Sequence, residues 1–202
     1  MPPPNRKLRN ARKSGNVAQA DAIPALETRR LVLKPLTLDD AAAIQALFPH
    51  WEIVRYLTKR VPWPYPPDGA LTYLHELALP GMAEGREWHW SLRLKTEPGQ
   101  LVGLISLREG EDENRGFWLG LPWQGQGLMS EAAAAVTDFW FDVLGRSVLR
   151  VPKAADNIAS RRISESAGMH VIRSEMRDYV GGRHLSEIWE ISAERWRRHR
   201  NS

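Results

Sequence analysis

Short apolar runs, each closed by glycine, proline or a charged cluster, alternate along this chain with stretches of helical spacing. Residues 30–34 read as a first strand, and Thr37-Leu-Asp-Asp40 then makes a capping-box pattern ahead of a helix over 41–48. Pro62, Pro64, Pro66 and Pro67 enforce an extended loop, after which Asp68 starts a helix over 70–78. Residues 88–95 and 101–107 flank Glu97-Pro98-Gly99 and predict a hairpin. An acidic loop, Glu109-Gly-Glu-Asp-Glu113, precedes a short strand over 116–121. Val136, Phe139, Trp140 and Val143 mark a helix over 131–144 that Gly145 stops. A strand over 148–151, a helix over 158–167 and two strands around 171–177 and 185–191, with Gly181-Gly182 between them, complete the pattern. Strands interleaved with three or four helices in mixed order predict an α/β layer fold, and no internal repeat is present.

The join between the strand at 116–121 and the helix that follows is Pro122-Trp123-Gln124-Gly125-Gln126-Gly127-Leu128-Met129-Ser130-Glu131. A strand, a Gly-x-Gly turn and a helix N-terminus leave several backbone N–H groups facing one small space, which suits a phosphate. A dinucleotide fingerprint needs a third glycine where this chain has Ser130, and a Walker loop needs a lysine that is missing between Gly116 and Arg146.

The segment Gln124-x-x-Gly127-x-Met129 resembles the pyrophosphate loop of the GCN5-related N-acetyltransferases (GNAT). Its Trp-Gln-Gly-x-Gly-x-x-Ser-Glu-Ala form is similar to that of the ribosomal-protein N-terminal acetyltransferases, the RimJ/RimL type. Three further blocks resemble that branch in the same order. They are residues 26–42, the Val61-Pro-Trp-Pro-Tyr-Pro-Pro loop, and Asp156-Asn157-Ile158-Ala159-Ser160 running on to Gly168-Met169. The resemblance spans roughly residues 26–191 and implies the GNAT fold, a mixed, mostly antiparallel sheet with splayed parallel strands and flanking helices. It also implies acetyl-CoA as cosubstrate. The pantetheine would lie along Leu119–Leu121, the phosphates on Gln124, Gly125, Gln126, Gly127, Leu128, Met129 and Ser130, and Asn157, Ser160 and Arg161 or Arg162 on the coenzyme.

Charge changes the picture once it is divided. Residues 1–13 hold five basic side chains and residues 195–202 four, neither with an acid, so the overall +4 leaves −5 for the body between them. The expected organisation is a basic N-terminal tail over 1–22, a GNAT domain over 23–194 and a basic C-terminal tail over 195–202. The tails offer an electrostatic contact to RNA or the ribosome. An apolar content of 43% supports one sizeable core. There is no cysteine and no histidine pair at metal-ligand spacing, so no metal is expected. No membrane span is expected, and the reading is a cytoplasmic monomer or homodimer.

The implied reaction is attack of a primary amine on the thioester. The acceptor is a protein or peptide N-terminus, with a small-molecule amine or a catalytically weak CoA-binding module as alternatives. Many relatives carry a glutamate where this chain has Asn114 and a tyrosine acid where it has Ser164. Ser160 is therefore the candidate donor to the departing thiolate. Glu109 leads the candidate bases, ahead of Glu111, Asp112, Glu113, Asp178 and Tyr179. Trp63 and Tyr65, in the proline-stiffened loop, are candidate substrate-mouth residues, and His89 reads as structural.

Overall fold

A computed structural model describes residues 23–201; the expected N-terminal tail lies outside the described residues. Strands β1 (Leu26–Glu27), β2 (Leu31–Pro35), β3 (Glu87–Leu94), β4 (Glu97–Arg108) and β5 (Arg115–Leu119) form one antiparallel sheet in chain order. Strands β6 (Val148–Ala154), β7 (His170–Tyr179) and β8 (Gly182–Ser192) form a second sheet with β8 in the middle.

β4 lies between β3 and β5 and is buried on both faces along residues 101–107, so the first sheet is covered twice. One face buries Leu36, Leu104 and Trp118 beneath α1 (Ala41–Leu47), α2 (Trp51–Val54) and α3 (Gly69–Tyr73). The helix α3 passes through a π turn into α4 (Leu79–Ala83): Pro80 has no N–H to return, and the Leu79 N–H reaches back to the Leu74 carbonyl. The other face buries Leu33, Trp90, Ile105 and Leu107 against α5 (Leu128–Asp138), with Ala132 and Val136 facing the sheet. The Thr37/Asp40 capping box forms as expected. Trp118, Trp140 and Trp189 are core residues.

The chain crosses from one sheet to the other through β5, α5 and β6. Asn114, entering β5, bonds to Arg150 in β6, and three residues on Phe117 lies beside Lys153, so the two strands run the same way. After the Asn114–Arg150 contact no backbone bond joins them among the described residues, and they splay. Helix α6 (Ile158–Ser166) follows β6 and packs against α5. A mostly antiparallel pair of sheets, splayed parallel strands and flanking helices make the fold that the resemblance implied.

Several boundaries differ from expectation. The β3–β4 turn is Lys95-Thr96, with Leu94 opposite Glu97, so Pro98 and Gly99 lie inside β4. Strand β5 ends at Leu119 because Leu121–Trp123 forms a 3₁₀ turn around Pro122, and α5 begins at Leu128 rather than 131. A third difference is larger. Residues 195–200 of the segment expected as a basic tail lie within helix α7 (Ala193–Arg200), capped by Ser192. Trp196 is 3% exposed in the main core and donates its indole N–H to Asp138 at 2.8 Å. Arg200 pairs with Asp138 and Arg197 with Asp142, and the arginines of the last turn suit the negative end of the helix. Acids distant in sequence thus fix a segment that looked uncompensated.

A chain ended at residue 194 should therefore melt far below the intact protein. Trp196→Ala should cost about 3–5 kcal/mol, the usual range for a buried tryptophan. Thermal melts check this, and an unchanged midpoint in both would restore the segment to a tail.

Candidate active site

The splay between β5 and β6 opens toward the glycine turn. Gly125 and Gly127 adopt φ of 72° and 75°, the left-handed region that L side chains resist. Gln124 donates its amide to the Leu119 carbonyl at 2.8 Å and Gln126 donates to the Pro122 carbonyl at 2.9 Å, so the two glutamines brace the loop from inside. Among the described residues, no backbone N–H from residue 125 to 130 is given to a protein acceptor; the Glu131 N–H is the first to return, to Gly127. Leu128 and Met129 send their side chains into the core, which leaves only their N–H groups for a ligand.

Positive charge stands beside these donors. Arg30, from the β1–β2 turn, gives Nη1 to the Gln126 carbonyl at 3.0 Å and Nε to Glu131 at 2.8 Å. Burial would raise the Glu131 carboxyl, but hydrogen bonds from Thr28 and Arg30 outweigh it and hold the pKa below the ordinary value. Sequence reading missed Arg30; the only hint was its place in a block of the resemblance. Six free donors and a guanidinium fit a pyrophosphate.

On the other wall, Asn157 caps α6 by accepting the Ser160 N–H at 3.1 Å, and its side-chain N–H₂ meets no protein acceptor among the described residues. Ser160 accepts a hydrogen bond from Lys153 Nζ at 2.7 Å. Lys153 is 5% exposed, and sequence reading missed it too. Of the paired arginines, Arg161 is committed to Glu187 at 3.0 Å, whereas Arg162 is exposed with no ion pair among the described residues. Leu119 is buried at the strand end, and Leu121 is exposed on the 3₁₀ turn beyond it, so the two do not share a strand.

The candidate bases are dispersed. Glu109 is an exposed partner of Arg146 at the end where β5 and β6 are still joined, away from the glycine turn. It is set aside as a base for that reason. Asp112 pairs with Arg173 and Arg150, and Glu113 with Arg177, so the acidic loop ties the two sheets together. Glu111 and Asp178 are exposed, and Tyr179 donates to Ser186 at 2.7 Å inside the second sheet. A cavity of about 360 Å³ near this joined end, lined by Gly110, Arg146 and Arg150 among others, belongs to the arginine-laced loop rather than to the splay.

The sheet face covered by α1 and α3 carries a proton-bearing chain that sequence reading took as purely structural. His89 is 2% exposed and lies in one cross-strand row with Ser106 and Gly116. Its Nε2–H donates to Glu87 at 2.6 Å, which leaves Nδ1 to accept from the Tyr73 hydroxyl at 2.9 Å. That hydrogen bond holds Glu87 below the ordinary carboxylate range, and burial pushes the Tyr73 phenol up. Tyr65 joins the same wall: it meets Phe48 edge-on at 5.0 Å, Phe48 meets Trp118 of β5 at 5.3 Å, and burial lifts the Tyr65 phenol to about 12. Trp63 stands outside, 41% exposed and 5.8 Å from the equally open Trp51.

The open end of the splay is bridged from above. The Val180 N–H donates to Leu57 and the Gly181 N–H to Arg55, while Thr58 pairs with Tyr179. A Cβ on Gly181 would fall 2.7 Å from the Arg55 carbonyl, so this close seam requires glycine.

The profile of the acetyltransferase (GNAT) domain matches residues 30–170, about 70% of the chain, and the chain belongs to this family of acetyl-CoA-dependent N-acetyltransferases. An uncharacterised N-acetyltransferase of Bacillus subtilis, YoaA, is 29% identical over 145 residues, 69% of this chain and 79% of its own. Among solved structures, RimL, a ribosomal L7/L12 α-N-protein acetyltransferase in complex with CoA, superposes with a TM-score of 0.71 at 16% identity over 84% of this chain and 98% of its own. Mycobacterium smegmatis RimJ, in complex with a CoA-disulfide, gives 0.71 at 18% identity over 85% and 88%. The ribosomal-protein-S5-alanine acetyltransferase of Vibrio fischeri gives 0.72 at 16% identity over 86% and 98%. The described residues include no cluster of His, Cys, Asp or Glu that could hold a metal, and no helix long and apolar enough to cross a membrane.

Gly127→Val should weaken acetyl-CoA binding by at least about tenfold, since a β-branched residue at this φ costs roughly 1–2 kcal/mol and turns the N–H groups away. The cause is backbone strain rather than crowding, because a Cβ there meets only Arg30 Nη2 at 3.6 Å. Isothermal titration of the folded variant is the check, and unchanged affinity would remove the turn from the binding site.

Proposed function

We propose that this acetyltransferase acts on the N-terminal α-amine of a protein or peptide. The observation that carries the reading is the engagement of the acidic loop: of its four carboxylates, Glu109, Asp112 and Glu113 are held by arginines, and the fourth, Glu111, is exposed. An acceptor with an α-amine needs little from them. Its pKa is about 7.7–8.0 against about 10.4 for a lysine side chain, a difference of roughly 3.5 kcal/mol in the cost of supplying the neutral amine. The Glu87–His89–Tyr73 chain, on the face carrying Gly116 and Trp118, offers a proton path suited to that modest task.

Shape favours a chain over a small amine. The wall of Trp118, Phe48 and Tyr65 leads out to the exposed Trp51–Trp63 pair, an apolar platform for the residues that follow a reacting N-terminus. Relatives of the same fold act on ribosomal proteins according to their names, which supports the same acceptor class. In this reading the N–H groups of residues 125–130 and Arg30 hold the pyrophosphate, Asn157 orients the pantetheine, and Ser160 faces the thioester sulfur.

A panel of free N-terminal peptides, Nα-blocked peptides containing lysine, polyamines and aminoglycosides tests this by CoA release. Free N-terminal peptides should turn over at least about tenfold faster than the rest, with rates rising through the α-amine pKa of about 8. Faster turnover of blocked lysine peptides or polyamines would overturn the acceptor.

A further inference from the structure

Beneath α6 lies a buried polar cluster to which the binding reading assigns no work. Arg115 of β5 and Lys153 of β6 are 6% and 5% exposed, and neither has a carboxylate partner among the described residues. Arg115 gives Nη1 to Thr137 at 2.9 Å and Nη2 to Met169 Sδ at 3.8 Å, with Nε unpaired. Among the described residues the Lys153 ammonium meets the Ser160 Oγ at 2.7 Å and the Phe117 ring at 5.1 Å. Ser164, one helical turn beyond Ser160 on the same face of α6, is fully buried and its hydroxyl has no partner among the described residues.

Two desolvated cations without an anion are expensive, and buried hydroxyls are normally satisfied. The arrangement makes sense if negative charge arrives during turnover. We propose that Lys153 is the proton source for the departing CoA thiolate, acting through the Ser160 hydroxyl. This rests on the placement of the thioester beside Ser160.

The direction of the bond supports the relay. Lys153 donates to Ser160 Oγ, so the Ser160 proton points elsewhere, and no protein acceptor takes it among the described residues. The amine lone pair forms the new C–N bond, and as the C–S bond breaks its electron pair goes to sulfur. Ser160 passes its proton to sulfur while the Lys153 ammonium replaces it, and the proton shed by the attacking nitrogen leaves to water. Lys153 regains a proton from solvent once the product has gone. Burial, reinforced by Arg115, holds the Lys153 pKa well below that of a free lysine, which makes it a better acid for this purpose. The remaining charged neighbour is Glu187, opposite Lys153 on β8, which is itself paired with Arg161 of α6. Lys153 is thus a positioning and proton-supplying residue, whereas Ser160 is the one set to touch the sulfur.

The test needs no knowledge of the acceptor. Titration of bound CoA by the ultraviolet absorbance of its thiolate should show the thiol ionising at lower pH than the thiol of free CoA in the wild type. In Lys153→Met it should ionise at least about one unit higher, since a neighbouring cation has been lost. With an acceptor from the panel, Lys153→Met and Lys153→Gln should each lose roughly a hundredfold in kcat while the acetyl-CoA KM stays within about twofold. Gln keeps an N–H donor to Ser160 but has no proton to give. Lys153→Met combined with Ser160→Ala should be no slower than the slower single variant. Identical thiol titrations in wild type and variant, or a Lys153→Gln enzyme with wild-type kcat, would overturn the proposal and leave the acetyltransferase reading intact. A protein that binds no CoA would sink the site assignment and this proposal together.

Discussion

The contact between Asn114 and Arg150 sets the geometry on which the rest of the site depends. The Asn114 N–H donates to the Arg150 carbonyl and the Arg150 N–H to Asn114 Oδ1, both at 2.8 Å. A side-chain oxygen thus takes the place of the next rung of a parallel ladder, and the ladder stops there. Asn114 Nδ2 donates to the carbonyls of Gly110 and Arg108, which fixes the side chain in that role. One residue on, the buried Arg115 occupies the widening gap beneath α5, and its desolvation pulls the guanidinium down to about 10. Strand backbone left unpaired by this divergence is what an amide-bearing ligand can pair with.

A gap held at one end alone would leave the two sheets free to move. The seam between residues 55–58 and the β7–β8 hairpin closes the other end, so the site is a framed opening. The frame also separates tasks. In the proposed reading the glycine turn and Arg30 take the anionic coenzyme, the α6 side carries Lys153, Ser160 and Ser164, and the aromatic wall with the His89 chain takes the acceptor. Each group sits on a regular element or is tied to one, which is how a site is kept in register.

Much of this was legible in the sequence, and the failures have physical causes. The turn around Gly125 and Gly127 was readable because left-handed backbone demands glycine and leaves a local signature. Glu109 was misplaced because nearness in sequence to β5 is not nearness to the site. The loop before a strand lies at the opposite end from the turn that follows it. Lys153 was missed although the pattern held a clue: it shares the buried parity of Leu149 and Val151 on β6, where a charged residue needs a reason. The C-terminal helix was hidden by composition, because its compensating acids, Asp138 and Asp142, lie more than fifty residues upstream. His89 was read as structural, and its bonds to Tyr73 and Glu87 depend on tertiary packing that the sequence does not display.

The central claim is that the coenzyme enters the splay between β5 and β6 and is gripped by the turn after β5. Amide hydrogen exchange with and without CoA addresses it residue by residue. The account predicts that protection appears in residues 119–131 and 153–164, with little change in the loop over 109–113 or the residues around Arg146. Protection centred on that joined end, with the glycine turn exchanging as freely as before, would contradict it.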